Sequence, residues 1–167
     1  VTQREFTRRH RKVRVDEREE LVAVLDGGAH SSGEFPAVLP ADKHAMDSAG
    51  WRFVARDDAR AQSNSTRRAK VFVRGDQTLL ATGKITAKFR DDVSRERIDA
   101  LLAARSLTVT GALTFANNYF EIDPVGDELR DAIDIANELL TLEECELAEP
   151  VFIEAIGQRP MAHGGGR

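Results

Sequence analysis

The residue types that do chemistry are present here, but they are scattered. Cys145 stands between Glu144 and Glu146. Neighbouring carboxylates raise a thiol's pKa and weaken it as a nucleophile, so a buried or half-buried structural cysteine is expected. With no second cysteine, no internal disulfide and no multi-cysteine metal site is possible. His10, His30, His44 and His163 fall far apart, in expected loops or termini, with no second ligand at metal spacing. No metal or other cofactor is expected. Neither GxGxxG nor GxxxxGK[ST] occurs, and Gly164–Gly166 has no helix after it. No serine sits in a Gly-x-Ser-x-Gly elbow. Carboxylate pairs such as Asp57-Asp58, Asp91-Asp92 and Glu143-Glu144 read as loop and helix-end charges, and nothing selects a glycosidase pair among them. The inventory points away from an enzyme.

The bulk properties narrow the partners. The chain has 167 residues, 41% apolar and 31% charged, with 24 basic and 28 acidic side chains and a net charge of −4. That suits one globular domain, or a domain with an extension. It disfavours a generally basic nucleic-acid binder. No apolar run approaches the roughly 20 residues of a membrane-spanning helix, so no membrane partner is expected. The chain opens at Val1 without an apolar leader stretch, so no signal peptide is visible and the compartment stays open.

The charge is uneven. Val1–Val15 holds six basic residues against Glu5, while Glu121–Glu149 holds eleven acids against Arg130. The basic arm reads first as a solvated or frayed terminus. It reads otherwise as a contact with an anionic partner or with the acidic half of the same molecule. The acids alternate with apolar positions, so most are expected on the wet faces of half-buried elements.

Two zones follow. In the first, residues 1–69, "RKVRV" and "ELVAVL" suggest two strands around Asp16–Glu19, ended by Gly27-Gly28. Ser31–Pro40 reads as a loop, and Pro40 as the first turn of a short helix. "GWRFVAR" suggests a strand with Trp51 and Phe53 on one face and Val54 on the other. Asp57–Arg68 is polar and reads as a linker. The second zone, residues 70–156, is more periodic. Two short strands flank the turn at Arg74–Gln77. Ile85, Ala87 and Phe89 share one face of a half-buried strand. Ser94–Arg105 is amphipathic, with Ile98, Leu101 and Leu102 at helical spacing. "LTVTGAL" has Leu107, Val109 and Gly111 on one side. "NNYFEID" puts Tyr119 and Phe120 on opposite faces, with Asn117-Asn118 as the turn before it. Leu129, Ala132, Ile133, Ala136, Leu139 and Leu140 mark the strongest helix, with Asp127, Glu128, Arg130, Asp131, Asp134 and Glu138 toward water. Pro150 then marks an edge or an end of a strand. Residues 157–167 are expected to be a flexible tail.

From Lys84 the order is strand, helix, strand, strand, helix, strand. The expected class is α+β, a ferredoxin-like βαββαβ antiparallel sheet with two helices on one face, plus an N-terminal extension with short strands. An open sheet face must be covered or must bind something. RNA-recognition domains share this order, but they carry basic and aromatic side chains where "NNYFEID" offers Glu121 and Asp123. No nucleic-acid partner is expected.

Roughly Val71 to Ile156 resembles the N-terminal propeptide (inhibitor I9-like pro-region) of subtilisin-like serine proteases. The resemblance is carried, in order, by Lys88-Phe89, Val93-Ser94, Leu101-Leu102, Leu107-Thr108-Val109, Asn118-Tyr119, Ala136-Asn137-Glu138-Leu139 and Glu146-Leu147-Ala148-Glu149-Pro150-Val151-Phe152. It implies a folding chaperone and inhibitor of a subtilisin-like protease domain, in cis or in trans. The open sheet face would pack on the enzyme through Tyr119, Phe120, Glu121, Asp123, Glu146 and Glu149. Ile153, Glu154, Ala155, Ile156 and Gly157 would form the segment entering the substrate cleft. Such pro-regions are usually secreted. Nothing like the catalytic Asp, His and Ser regions of these proteases occurs here, so the chain by itself is expected to have no peptidase activity. The alternative is a stand-alone interaction or inhibitor module with no linked catalytic domain.

Overall fold

A computed structural model describes residues 1–25, 40–58, 61 and 67–154. The fold is mixed α+β, with three nine-residue helices and two antiparallel sheets among the described residues. The expected loop before Pro40, most of the 57–68 linker and the 157–167 tail lie outside them.

The first sheet is built from β1 (Thr2–Arg8), β2 (Arg11–Leu25), β3 (Trp51–Ala55), β4 (Arg68–Arg74), β5 (Gln77–Ala81) and the short β10 (Ile153–Glu154). Its order is β1-β2-β4-β5-β10, with β3 also on β2. β2 is one 15-residue strand, not the two expected. Its first half pairs with β1 and its second half with β3, so both shorter strands share one edge of it. The helix α1 (Pro40–Ser48) precedes β3. Trp51 and Phe53 face one apolar cluster with Met46 and Leu80, while Val54 faces another with Val22 and Val24. That is the two-sided strand its alternation called for.

The second sheet holds β6 (Ile85–Phe89), β7 (Leu107–Ala112), β8 (Tyr119–Pro124) and β9 (Cys145–Pro150), in the order β7-β8-β6-β9. Helix α2 (Arg95–Ala103) links β6 to β7, and α3 (Ala132–Leu140) links β8 to β9. Ser94 caps α2 by accepting from Arg97 N–H at 3.1 Å. Ile98, Leu101 and Leu102 are buried as their spacing required. Ile85, Ala87 and Phe89 have no exposed surface and meet both helices in the main core.

Three expectations need correction. First, α3 begins at Ala132, not near Asp127. Asp131 ends the preceding extended segment and accepts from Ile133 and Asp134 N–H at 2.8 and 3.2 Å. This N-cap satisfies donors that helix geometry leaves orphaned. Leu129 therefore lies outside the helix and packs beside Val22, Val24 and Val54. Second, a register shift between Val109 and Gly111 sets Gly111 opposite Glu121, off the core face that Leu107 and Val109 occupy. Third, a boundary at 69/70 would cut β4. The β4–β5 hairpin belongs to the first sheet, and the passage into the second sheet comes between Ala81 and Ile85.

The two sheets also share a core. Phe6, Val15, Phe72 and Leu79 of the first join Ile85, Phe89, Ile133, Ala136 and Leu139 of the second. Phe152, between β9 and β10, stacks at 5.4 Å from Phe6 and 5.7 Å from Phe72.

The basic arm is not a frayed end. β1 pairs with β2 along all seven residues and lies against α3 and β9. Its charge meets the acidic half of the same molecule. Arg4 Nη1 donates to Glu17 Oε2 and to Asp131 Oδ2, each at 2.8 Å, and Nη2 pairs with Asp134. Lys70 Nζ reaches Glu17 at 3.1 Å and Asp131 at 3.3 Å. Asp131, expected to face water, is 8% exposed. Asn137 Nδ2 donates to Glu5 O at 3.0 Å further along the same helix.

Two outcomes are expected. Asp131→Ala removes the cap and leaves two half-buried cations short of a partner, at a cost of about 3 kcal/mol or more in urea unfolding. Asp131→Asn keeps a capping oxygen and should lose measurably less. Equal, near-zero losses for both would remove the cluster from the stability of the fold. Burial opposes the Lys70 charge, but hydrogen bonds and attraction from Glu17 and Asp131 raise its pKa above the ordinary lysine value. A raised lysine contributes stability below its unfolded pKa of about 10.4 and loses it as pH climbs through the folded value. The melting advantage of the wild type over Lys70→Met should therefore shrink only at strongly alkaline pH. An advantage constant through that range would contradict the assignment.

Candidate functional site

The second sheet has two unlike faces. The face bearing Ile85, Ala87, Phe120 and Ile122 is covered by α2 and α3. The other carries Thr86 and Lys88 from β6, Lys84 just before it, and Tyr119, Glu121 and Asp123 from β8. Cross-strand register aligns Thr86 with Glu121 and Lys88 with Tyr119. On the far side of β6, Thr86 also faces Glu149, and Lys88 faces Leu147.

Alternation sets this division, and it separates the expected site residues. Phe120 does not belong to the open face. It is 7% exposed, and the Arg95 guanidinium lies 4.8 Å from its ring centre. Tyr119 does lie on the open face. Its ring meets Phe115 edge-on at 5.3 Å, and Phe115, at the β7–β8 connection, is 77% exposed. Asn118 adopts a positive φ of 50° in that connection, and its Nδ2 donates to Arg90 O and Val93 O, both at 2.9 Å. The aromatic pair therefore stands on a fixed turn.

The centre of this face is charged and not apolar. Lys84 Nζ contacts Asp123 at 2.8 Å and Glu121 at 3.8 Å. Thr110 Oγ1 also donates to Asp123, at 2.6 Å. Lys88 Nζ contacts Glu146 at 2.9 Å and Asp91 at 3.3 Å. The hydrogen bond to Glu146 chiefly raises the Lys88 pKa, with Asp91 adding to the rise and desolvation opposing it. Glu149 accepts from Arg9 N–H at 2.8 Å, which steadies the β1–β2 turn where Arg9 and His10 both have positive φ. Each expected acidic contact thus has a partner within the chain already. A bound protein would have to share these carboxylates or displace their lysines. Cross-strand ion pairs at a half-exposed surface contribute modestly and yield readily to such exchange.

The expected cleft segment divides in two. Ile153 and Glu154 pair with Leu80 and Leu79 of β5. Ile153 also packs on the core of the first sheet. These two residues are part of the fold and are not free to enter a cleft. Ala155, Ile156 and Gly157 lie outside the described residues. Sequence reasoning missed β10 and its pairing with β5 because two residues make too short a strand to show a period.

Cys145 opens β9 and is 8% exposed. Its pKa is pushed up to about 12, mainly by burial, and Glu146 adds to the rise. The expected inert thiol stands, with burial as its larger cause. Among the described residues no group of three His, Cys, Asp or Glu side chains is arranged to hold a metal ion. None of the described helices is long and apolar enough to cross a membrane. No family model, curated protein or solved structure matches the chain.

The two aromatic neighbours give a direct test of the face assignment. Phe120→Asp should strongly destabilise or unfold the chain, because it buries a carboxylate among apolar side chains. Tyr119→Asp should leave the melting temperature within a few degrees of wild type. Equal losses from both would mean that the sheet does not have one wet face.

Proposed function

We propose that this chain is the pro-region of a subtilisin-like serine protease, acting as folding chaperone and inhibitor of the protease domain. One observation carries the reading: the ordered motifs fall at matching places in the second sheet and its helices. Lys88-Phe89 end β6, Ser94 caps α2, and Leu101-Leu102 are its buried pair. Leu107-Thr108-Val109 open β7, and Asn118-Tyr119 lead into β8. Ala136–Leu139 fall in α3, and β9 holds Glu146–Pro150. The strand order β7-β8-β6-β9, with both helices on one face, favours the finer description of this unit as ferredoxin-like.

In this reading the enzyme packs on the open face, over Tyr119, Glu121, Asp123, Glu146 and the rim near Glu149. Acidic side chains there suit the unpaired N–H groups at the N-terminal ends of partner helices. Binding the folded protease and not its unfolded chain stabilises the folded form by mass action. The cleft-entering part starts after Glu154, with Ala155, Ile156 and Gly157. The pairing of Ile153 and Glu154 with β5 fixes where that segment leaves the body. An extended segment with a fixed origin loses less entropy when it lies along a cleft. The pro-region has no peptidase activity of its own.

The test is an inhibition titration of the purified chain against a subtilisin-type protease, preferably the one encoded with it. Inhibition should be tight and should fade as the chain is slowly digested. A version ending at Glu154 should keep its melting temperature and inhibit far less. A folded chain that leaves the cognate enzyme fully active would overturn the reading.

A further inference from the structure

A cleft on the first sheet stands apart from the face described above. β2 and β4 do not keep register. Glu17 pairs with Phe72 and Val22 with Lys70, so five steps along β2 answer two along β4. The extra residues bow the strand out. The bow is pinned on its far side, where Arg56 N–H donates to Glu20 O at 2.9 Å and Leu21 pairs with Ala55. The bow borders a cleft of about 650 Å³, lined among others by Arg18, Arg68, Lys70, Val22, Val71 and Leu129.

Four cations line it; Arg56 has interactions of its own, and Arg18, Arg68 and Lys70 differ in how they are matched. Lys70 is held by Glu17 and Asp131. Arg68 gives Nη1 to Ala61 O at 2.8 Å and Nη2 to Asp127 O at 2.9 Å. Both acceptors are neutral carbonyls, so among the described residues its charge pairs with no carboxylate. Arg18 has no hydrogen bond and no ion pair among the described residues, and its Nε is sealed from solvent without an acceptor. An occluded donor with no partner carries a desolvation penalty that native folds rarely leave standing. A guanidinium offers a planar fork that matches a carboxylate or phosphate. The apolar side chains beside it strengthen any such bond by lowering the local dielectric. Four acids also line the cleft: Glu17, buried and engaged by Arg4 and Lys70, and Glu19, Asp127 and Glu128, which are exposed. None of the four bonds to Arg18, and solvent screens the last three.

We propose that this cleft binds an oxyanion, a carboxylate or phosphate group, which accepts from the Arg18 guanidinium and is drawn by the uncompensated charge of Arg68. The inference does not depend on the protease reading.

The experiment titrates the full chain with sodium acetate and with sodium phosphate, against sodium chloride at matched ionic strength. Melting temperature and the NMR signal of the Arg18 Nε–H are followed. A saturable rise and a moving Nε–H signal are expected with at least one oxyanion and not with chloride. Tighter binding of acetate would point to a peptide carboxylate as the natural source, and tighter binding of phosphate to a phosphorylated small molecule. Arg18→Gln should weaken the response about tenfold or more, as loss of a charge-assisted contact does. It should melt no lower than wild type without ligand, since it removes an unmatched donor. If Arg18→Gln does not fold, Arg18→Lys decides, because it keeps the charge and lacks the planar guanidinium fork. No oxyanion effect beyond chloride, or equal binding by wild type and by the variant that folds, overturns the proposal.

Discussion

Asp131 ties the molecule together. One oxygen of its carboxylate starts α3 by capping two backbone N–H groups. The other receives Arg4 from β1 and Lys70 from β4. Glu17 of β2 binds the same two cations from the opposite side. Two half-buried cations thus share two buried carboxylates, with the exposed Asp134 as a further partner of Arg4. Buried ion pairs gain little net energy, because desolvation offsets most of their attraction. Their effect is discrimination. Any displacement of the first sheet along α3 leaves the buried carboxylates of Glu17 and Asp131 without their cations. The apolar contacts among Phe6, Phe72 and Phe152 supply much of the attraction between the two sheets. The ionic cluster selects one relative placement.

That placement governs the open face and the chain's exit from it. β1 lies along α3 and β9, so the β9 edge is not left bare for unplanned strand pairing. The β1–β2 turn reaches round to Glu149, which sits on the open face. After Pro150 the chain crosses from the second sheet to the first, and Phe152 fills the gap between Phe6 and Phe72. Ile153 and Glu154 then pair with β5, so this end of the described chain is held by the first sheet as well as the second.

The second half of the chain was legible because each of its elements buries one face. In β6, α2 and β8 the period of 2 or 3.6 survives intact, and the buried residues are those the spacing selects. α3 was legible in its centre and not at its start. Leu129 continues the helical spacing by coincidence, while Asp131 stops the helix by capping it. Ile135 was not in the expected stripe, yet it is 2% exposed. The reason is tertiary, since a helix with a sheet beneath and β1 alongside buries a wider arc than a surface helix does. β2 hid itself for a related reason. Its middle reads Asp16-Glu17-Arg18-Glu19-Glu20, which no half-buried strand would carry. Glu17 is tolerated only because Arg4 and Lys70 wait for it, from residues 13 positions earlier and 53 later. Local pattern cannot register partners at that distance.

The open face shows the same limit from the other side. Alternation placed Tyr119 and Phe120 on opposite faces, as they are, yet both were expected in the contact surface, where only Tyr119 lies. It gave no sign that the surface is already internally paired, because Lys84 and Lys88 sit on a different strand. This alters what recognition there must involve. A partner gains little from the acids as free charges, since each attraction it offers replaces one that Lys84 or Lys88 already provides. It gains more from covering the pairs, because excluding water strengthens every ion pair it encloses. Shape at the fixed Phe115–Tyr119 turn would then contribute the affinity, while the charges would mainly reject misaligned partners. Under the proposed reading, such a face would reject misaligned partners by leaving its internal ion pairs uncovered.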